Sequence, residues 1–394
     1  MTPAGCPGFL AGGVAVGLKK NNALDLALLV SESTATVAGV FTRNRVQAAP
    51  VKLSRRRAAS GRGRAVIVNS GNANCCTGPR GLMDASAMAR SAAEALGIPE
   101  DVVFTASTGV IGKPMDLPRV QAGIPELISR LRPDGFEDLA RAIMTTDTEP
   151  KVRVVKRPVH DRTVTLCGVA KGAGMIRPDM ATMLCFVATD AGAEPEVLQG
   201  LLENSVNRSF NRITIDGDTS TNDTVLLLAN GQSGVGLTDS EAREAFASGL
   251  DELLTDLARW IVRDGEGVTK VVDVRVVGAA SRSDAERLVE TIAHSPLVKT
   301  AIHGEDANWG RILAAAGRAG VDLDPEAMDL YFGDVLMVKS GVGCGAAAET
   351  EATRVMRTAE YGITLDLNAG SHAAVLITCD FSVDYVKINA DYRS

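Results

Sequence analysis

Between Lys171 and Leu184 the chain reads Lys-Gly-Ala-Gly-Met-Ile-Arg-Pro-Asp-Met-Ala-Thr-Met-Leu. Gly172, Gly174 and Pro178 keep this stretch from continuing as a helix or a central strand. Directly behind it, Met183-Leu184-Cys185-Phe186-Val187-Ala188 is an unbroken apolar run of the length of one buried strand. An irregular connection therefore feeds a core strand, and Thr182 opens that strand behind the small Ala181. Taken alone, Ala181-Thr182 reads as an ordinary strand start. A threonine hydroxyl is a poor nucleophile because its proton needs a base. Cutting the peptide bond before it would free an α-amine on the same residue to act as that base. With a pKa of about 7.7–8, such an amine can accept a proton near neutral pH.

The pattern on either side predicts alternating strands and helices. Strands are expected at 26–30, 36–42, 64–69 and 102–105, the last delivering Ser107-Thr108-Gly109 at its end. Helices are expected at about 83–97, 117–132 and 136–144, where apolar residues recur at helical spacing. Val152–Val155 and Thr163–Val169 alternate as a hairpin does, with His160-Asp161 at its turn. Beyond Thr182 the expectation is strand 183–189, helix 195–207, strands 212–216 and 223–229, and a long helix at 239–263. The character changes near residue 270: strand 270–278, helix 283–294, strand 297–303, helix 308–318, then short strands to the end. A smaller α+β domain over 272–394 is predicted, its final strand returning the tail to the active site. Many strand pairs look antiparallel, which favours layered α+β over a doubly wound sheet. No period of 20–50 residues is evident, so a repeat fold is not expected.

Composition removes several function classes. The formal net charge of −7 opposes a general nucleic-acid binder, which would carry a basic face. The one basic cluster, Arg55-Arg56-Arg57 with Arg62 and Arg64, reads as a solvated turn around Ser60-Gly61. Aromatics are only 4 % of the chain, so the core is expected to consist mainly of Val, Ala, Leu and Ile. The seven cysteines are odd in number and contain no Cys-x-x-Cys, which argues against a disulfide framework or zinc site and for a reducing compartment. Four histidines in no ligand pattern argue against a His-based metal site. No apolar stretch approaches the ~18 residues of a membrane span, and the first twenty residues lack the basic n-region of a signal peptide. A cytoplasmic protein without metal, membrane or nucleic-acid partner is expected.

Six further strings accompany the Lys171–Leu184 segment. They are Ser107-Thr108-Gly109-Val110-Ile111-Gly112, Met144-Thr145-Thr146-Asp147-Thr148, the run Asp216–Thr224, Asp264-Gly265-Glu266-Gly267, Ser295–Ala301 and the tail Tyr385–Ser394. Together, and in this order, they resemble the ornithine acetyltransferases of arginine biosynthesis, also called glutamate N-acetyltransferases. The resemblance covers essentially the whole chain. It implies an αββα layered sandwich of the N-terminal-nucleophile kind, shared with related aminopeptidases, with the nucleophile on an inner strand. A catalytic region over 1–271 and a smaller C-terminal α+β domain over 272–394 complete the expected organisation.

The resemblance also assigns roles. The chain is expected to cut itself between Ala181 and Thr182, giving an α part (1–181) and a β part (182–394). Thr182 is then the nucleophile that takes acetyl from N-acetylornithine and passes it to glutamate by a ping-pong route. Thr108, through its hydroxyl, and Gly109, through its backbone N–H, match the oxyanion pair. Thr148, Lys171, Thr182, Glu266, Asn389 and Ser394 match substrate-binding positions; family members can end in threonine where Ser394 stands, and serine keeps the hydroxyl. For Lys171 and Glu266, taken without the resemblance, a surface charge is the simpler reading. No cofactor is implied. Some relatives also accept acetyl-CoA, and the residues leave that second donor open. A heterotetramer of two α and two β parts is the assembly the resemblance implies. Two other readings stand beside it: an amidase or aminopeptidase of related architecture with water as acceptor, and an uncleaved binding protein. His303, the most tempting histidine, reads as structural.

Overall fold

The structure, a computed structural model, describes residues 5–177 and 183–391. They form two compact units. The first takes Asp218–Ile261 together with the residues up to Asn211, and the second takes Arg212–Gly217 together with the residues from Val262.

In the first unit the strands are β1 (Phe9–Val14), β2 (Leu26–Phe41), β3 (Arg62–Asn72), β4 (Val103–Val110), β5 (Lys151–Val159), β6 (Arg162–Lys171), β7 (Leu184–Thr189) and β8 (Thr224–Ala229). They hydrogen-bond in the order β4-β3-β2-β8-β7-β6-β5, with β1 also on β2. The pairs β3–β4 and β7–β8 are parallel and the others antiparallel. The helices are α1 (Ala49–Ala58), α2 (Gly78–Leu96), α3 (Leu117–Ser129), α4 (Phe136–Ile143), α5 (Pro195–Arg208) and α6 (Ser240–Arg263).

The long strand β2 turns this sheet into two facing layers. Leu26–Val30 pairs with β3, the register then slips, and Thr36–Phe41 pairs with β8. Such an irregularity bends a strand and increases its twist. Alternation along the strands then sorts side chains between faces. Ala27, Leu29, Val66, Val68 and Phe104 of one half share a single buried cluster with Cys167, Val169, Leu184, Phe186 and Leu228 of the other. Leu26, Leu28, Ile67 and Val103 point the opposite way, onto Met88 and Ala92 of α2 and Val120 and Ile124 of α3. On the outer side of β6, a Cβ at Gly168 would lie 3.0 Å from Leu253 and Leu257 of α6, so helix and strand meet where glycine makes room. Helix α5 is tied to β2 by Gln199, which bonds both the N–H and the C=O of Gly39. Helices, half-sheet, half-sheet, helices: the first unit is the αββα sandwich.

The second unit carries β9 (Val271–Ala279), β10 (Asp329–Phe332), β11 (Val335–Lys339), β12 (Val342–Gly343), β13 (Glu360–Asp366) and β14 (His372–Cys379), in the order β12-β11-β10-β13-β9-β14. Its helices are α7 (Arg282–Ala293), α8 (Pro296–His303), α9 (Trp309–Gly317), α10 (Ala346–Met356) and α11 (Val383–Asp391). Val272, Val274 and Val276 of β9 pack with Leu288 and Ile292 of α7 in one core.

Three expected strands take other forms. Residues 297–303 are helix α8: Pro296 stands in its first turn, and Val298, Ala301 and Ile302 recur at three- and four-residue steps on its buried face. The tail is not a strand but α11, whose first turn is closed by the Ser382 hydroxyl accepting from the Tyr385 N–H at 3.0 Å. Residues 212–216 make one bridge, Ile213 to Ile377, and Thr214 N–H donates to Ile377 C=O at 2.8 Å. Gly217, at φ +82°, then turns the chain away. That bridge joins Arg212–Gly217 to the second unit, whose other boundary falls at Val262. The basic cluster also differs: Arg55–Arg57 form the last turn of α1, where cations suit the helix C-terminus, and Arg57 bonds Glu100 at 2.6 Å.

The sandwich depends on the fill between its half-sheets, where Phe186 is fully buried. Phe186→Ala is expected to lower unfolding free energy by about 3–5 kcal/mol, measured as a shift in the denaturant midpoint.

Candidate active site

Parallel pairing sets Asn69, Ser70 and Gly71 of β3 opposite Ser107, Thr108 and Gly109 of β4. Gly109 has φ +126°, and a Cβ there would stand 2.5 Å from the Gly71 carbonyl carbon and 2.7 Å from Asn72 N. Backbone meets backbone so closely that only glycine fits. Polar bonds hold the neighbourhood: Ser107 Oγ donates to Asn69 Oδ1 at 2.6 Å, and Asn222 Nδ2 donates to the carbonyls of Ala73 (2.7 Å) and Ser107 (2.8 Å).

Lys171 ends β6, in register with Leu184 of β7. The ammonium points inward; Lys171 is 3 % exposed, which excludes the surface-charge reading. It donates to Thr145 Oγ1 at 2.8 Å and to Thr108 Oγ1 at 3.3 Å. An ammonium has no acceptor, so the Thr108 oxygen must receive this bond. The Thr108 hydroxyl proton has no acceptor among the described residues and remains available to donate.

Asp147 anchors the same corner. Its Oδ1 accepts from Lys151 Nζ at 2.9 Å and from Gly172 N–H at 2.7 Å, and its Oδ2 from Thr145 N–H at 3.0 Å. Burial alone would raise its pKa, but the charges of Lys171 and Lys151 and the Gly172 N–H outweigh that and hold it down to about 2. Thr148 follows directly and is exposed, in the loop after α4. Beyond Lys171 the described chain is irregular, with Gly172 at φ +155° and Met175 at φ +60°.

Two residues here were missed by sequence reasoning. Asp223 is fully buried; its Oδ1 accepts from Met183 N–H at 3.0 Å, and its Oδ2 has no partner among the described residues. Burial pushes its pKa well above the ordinary carboxylate range, so the group favours its neutral form. Met183 C=O in turn accepts from Thr224 N–H at 3.1 Å, so both backbone groups of Met183 are held. The string Asp216–Thr224 was the available signal, and it entered only as part of the family resemblance. Lys19 is the other. Its Nζ donates to Leu24 C=O at 2.7 Å and to Ala142 C=O at 3.3 Å, and burial lowers its pKa to about 8 against the pull of Asp25. Nothing in Gly-Leu-Lys-Lys-Asn-Asn distinguishes it from a surface lysine.

In the second unit, Glu266 is 8 % exposed and so is not a surface charge either. Asn389 Nδ2 donates to Glu266 Oε2 at 2.7 Å. Gly267, at φ +67°, lies where a Cβ would be 2.6 Å from both Ser382 Oγ and Tyr385 N, so loop and helix start are in close contact. The structure thus joins Thr108, Gly109 and Lys171 in one unit, and Glu266 and Asn389 in the other. Ala181, Thr182 and Ser394 lie outside the described residues. His303 holds Asp380 through Nδ1 at 2.7 Å, a structural pairing. Among the described residues no group of three or more His, Cys, Asp or Glu is placed to hold a metal ion, and no helix is long and apolar enough to cross a membrane.

Residues 10–394 match the ArgJ family. The chain is 49 % identical to the arginine biosynthesis bifunctional protein ArgJ of Geobacter sulfurreducens, over 98 % of this chain and 99 % of that one. It is 50 % identical to the protein of the same name from Symbiobacterium thermophilum, over 98 % and 97 %. The crystal structure of arginine biosynthesis bifunctional protein ArgJ from Bacillus halodurans superposes with a TM-score of 0.50 at 40 % identity, covering 52 % of this chain and 98 % of that one.

Asp147→Asn would break the fully buried ion pair of Asp147 with the Lys151 ammonium, a loss expected to cost about 3–5 kcal/mol of stability. The Asp147 pKa in the folded chain, about 2, lies below the ordinary ~3.9. Its contribution is therefore complete above pH ~4 and disappears as pH falls through the folded value. Denaturant titrations between pH 5 and about 2 should show a steeper acid loss in the parent than in the variant.

Proposed function

The chain belongs to the ArgJ family, and from that premise we propose that Thr182 is the residue on which its acetyl transfer turns. The protein is an acyltransferase of arginine biosynthesis that moves acetyl from N2-acetyl-L-ornithine to L-glutamate. Its precursor cuts itself: Thr182 Oγ attacks the Ala181 carbonyl carbon, the acyl group passes from nitrogen to oxygen, and water hydrolyses the ester. The products are an Ala181 carboxylate and a Thr182 with free amine and hydroxyl. Asp223, through its bond to Met183 N–H, steadies the chain next to the cut.

In turnover the Thr182 amine takes the hydroxyl proton as Oγ attacks the acetyl carbon of acetylornithine. A tetrahedral intermediate forms with negative charge on the former carbonyl oxygen. Thr108 O–H and Gly109 N–H donate to that oxygen. The intermediate collapses, the leaving ornithine nitrogen takes the proton, and acetyl stays on Thr182 as an ester. The amine of glutamate attacks the ester through the same kind of intermediate, leaves as N-acetylglutamate and regenerates Thr182. Removing one oxyanion donor typically costs about 10²–10³ in kcat. Lys171 serves twice, orienting the Thr108 hydroxyl and attracting a substrate carboxylate. Thr148, Glu266, Asn389 and Ser394 complete the substrate contacts. The assembly is a heterotetramer of two α and two β parts, and the enzyme works in the cytoplasm.

One observation supports this reading above the rest: the Lys171–Thr108 bond forces the Thr108 oxygen to accept and frees its proton for an oxyanion. Intact-mass analysis tests the nucleophile. The parent protein should appear as two parts meeting at 181/182, and Thr182→Ala as one full-length species without acetyl transfer. Cleavage persisting in Thr182→Ala would reject the assignment. The relatives are named bifunctional, and we extend that to this chain as a second donor, acetyl-CoA. Incubation with acetyl-CoA and glutamate, without acetylornithine, should yield N-acetylglutamate. Absence of product would remove the second activity and leave the first intact.

A further inference from the structure

The helix that carries Asn389 has little holding it by apolar contact. No side chain of α11 is buried, and Val383 and Val386 are 64 % and 65 % exposed. Its nine residues are fewer than the ~12–15 at which an isolated helix is even marginal in water. Its order must come from specific anchors. They form a short series: Phe381 stacks on Tyr385 at 4.9 Å, Tyr385 N–H is capped by Ser382, and Asn389 Nδ2 donates to both Tyr385 C=O (3.0 Å) and Glu266 (2.7 Å).

That series begins at Lys299 of α8, a residue no step of the acetyl transfer uses. Lys299 is 1 % exposed and has no carboxylate partner among the described residues. A buried ammonium is costly unless its three hydrogens find acceptors. Here they do: Nζ donates to Thr378 Oγ1 at 3.1 Å and to Cys379 C=O, and lies 4.7 Å from the centroid of the Phe381 ring. All three acceptors lie in residues 378–381, the segment leading into α11. The backbone closes the clamp in reverse, with Phe381 N–H donating to Lys299 C=O at 3.1 Å.

We propose that Lys299 is a positioning residue for substrate binding: its buried ammonium fixes the end of β14 and the Phe381 ring, and through Tyr385 holds Asn389 on Glu266. The proposal rests on the reading above that Asn389 and Glu266 contact substrate. Lys299→Met keeps the apolar stem and removes the charge. In the full, processed enzyme, hydrogen exchange of 383–391 should speed up by at least about tenfold while α7 keeps its protection. KM for N-acetylornithine should rise by about tenfold, a loss of ~1.4 kcal/mol, with kcat within about twofold. Lys299→Arg should restore part of the loss. Introduced into Asn389→Ala, Lys299→Met should add nothing further to KM, because both act on one contact. Should Lys299→Met fail to fold, Phe381→Leu, which removes the ring face and the stack, gives the same readouts.

Unchanged exchange in 383–391 would overturn the anchor. Fully additive KM effects, or a fall in kcat in proportion to lost folded protein with KM constant, would overturn the positioning role. Faster exchange with KM unchanged in both Lys299→Met and Asn389→Ala would instead reject the substrate role of the tail, and the positioning role with it, while the mechanical clamp stands.

Discussion

A single buried carboxylate organises the first cluster of site residues. Asp147 takes two backbone N–H groups and a lysine ammonium, and so joins the loop after α4 to the chain leaving β6. A carboxylate out of water is tolerable only when its lone pairs are filled and positive charge lies close. Lys151 and Lys171 supply that charge. The dependence runs both ways, because Lys171 is itself buried beside Asp147 and the hydroxyls of Thr145 and Thr108. What results is an ammonium with little freedom, aimed at a threonine whose proton is thereby left to donate. The orientation of the Thr108 hydroxyl is here a consequence of the rules for burying charge.

The second constraint is the bend in β2. One strand serving both half-sheets lets β3–β4 and β6–β8 face each other while their polar ends stay joined by hydrogen bonds such as Asn222 to Ser107. The layers then explain the glycines at the site. Gly109 meets the β3 backbone too closely for a Cβ, so the residue expected to bring its N–H to an oxyanion is also the one that the sheet itself requires to be glycine.

Most of this was legible in the sequence where local pattern and burial agree. The hairpin at 151–171, the apolar strand after Thr182 and the long helix ending at Arg263 have patterns with one solution. The failures share a cause. Residues 297–303 and the tail are rich in Val, Ile and Tyr and suggested strands, but Pro296 and the Ser382 cap decide otherwise, and a cap is a weaker signal than a β-branched run. Residues 212–216 have strand composition yet keep only one bridge, because Gly217 ends the pairing. Thr108, Gly109, Lys171, Glu266 and Asn389 were singled out by resemblance to the family. Asp223 and Lys19 were not, since burial is the whole of their distinction and a lone Asp or Lys shows nothing of its eventual depth. Lys299 is the same case: its string was noticed, but nothing in it distinguishes a clamp from a solvated charge.

Burial also bears on how the proposed acetyl exchange would select glutamate over water as acceptor. In the proposed route both half-reactions convert an amide or ester carbonyl to the same tetrahedral oxyanion, so one pair of donors can serve both. An amide is broken and an amide is made, so no external driving force is required. The ester proposed on Thr182 would face one competing reaction, hydrolysis, and the choice between glutamate and water would depend on which nucleophile reaches the carbonyl in an attacking geometry. A donor such as Thr108, 6 % exposed and fixed by an ammonium itself 3 % exposed, is preorganised in a largely dry corner. In the proposed role, its stabilisation of an oxyanion would be worth more there than in water, with no solvent to reorganise when charge develops. In the proposed route, an amine held by its own carboxylates would have the advantage of placement over water, and the buried charges that hold the strand ends together would favour transfer over hydrolysis.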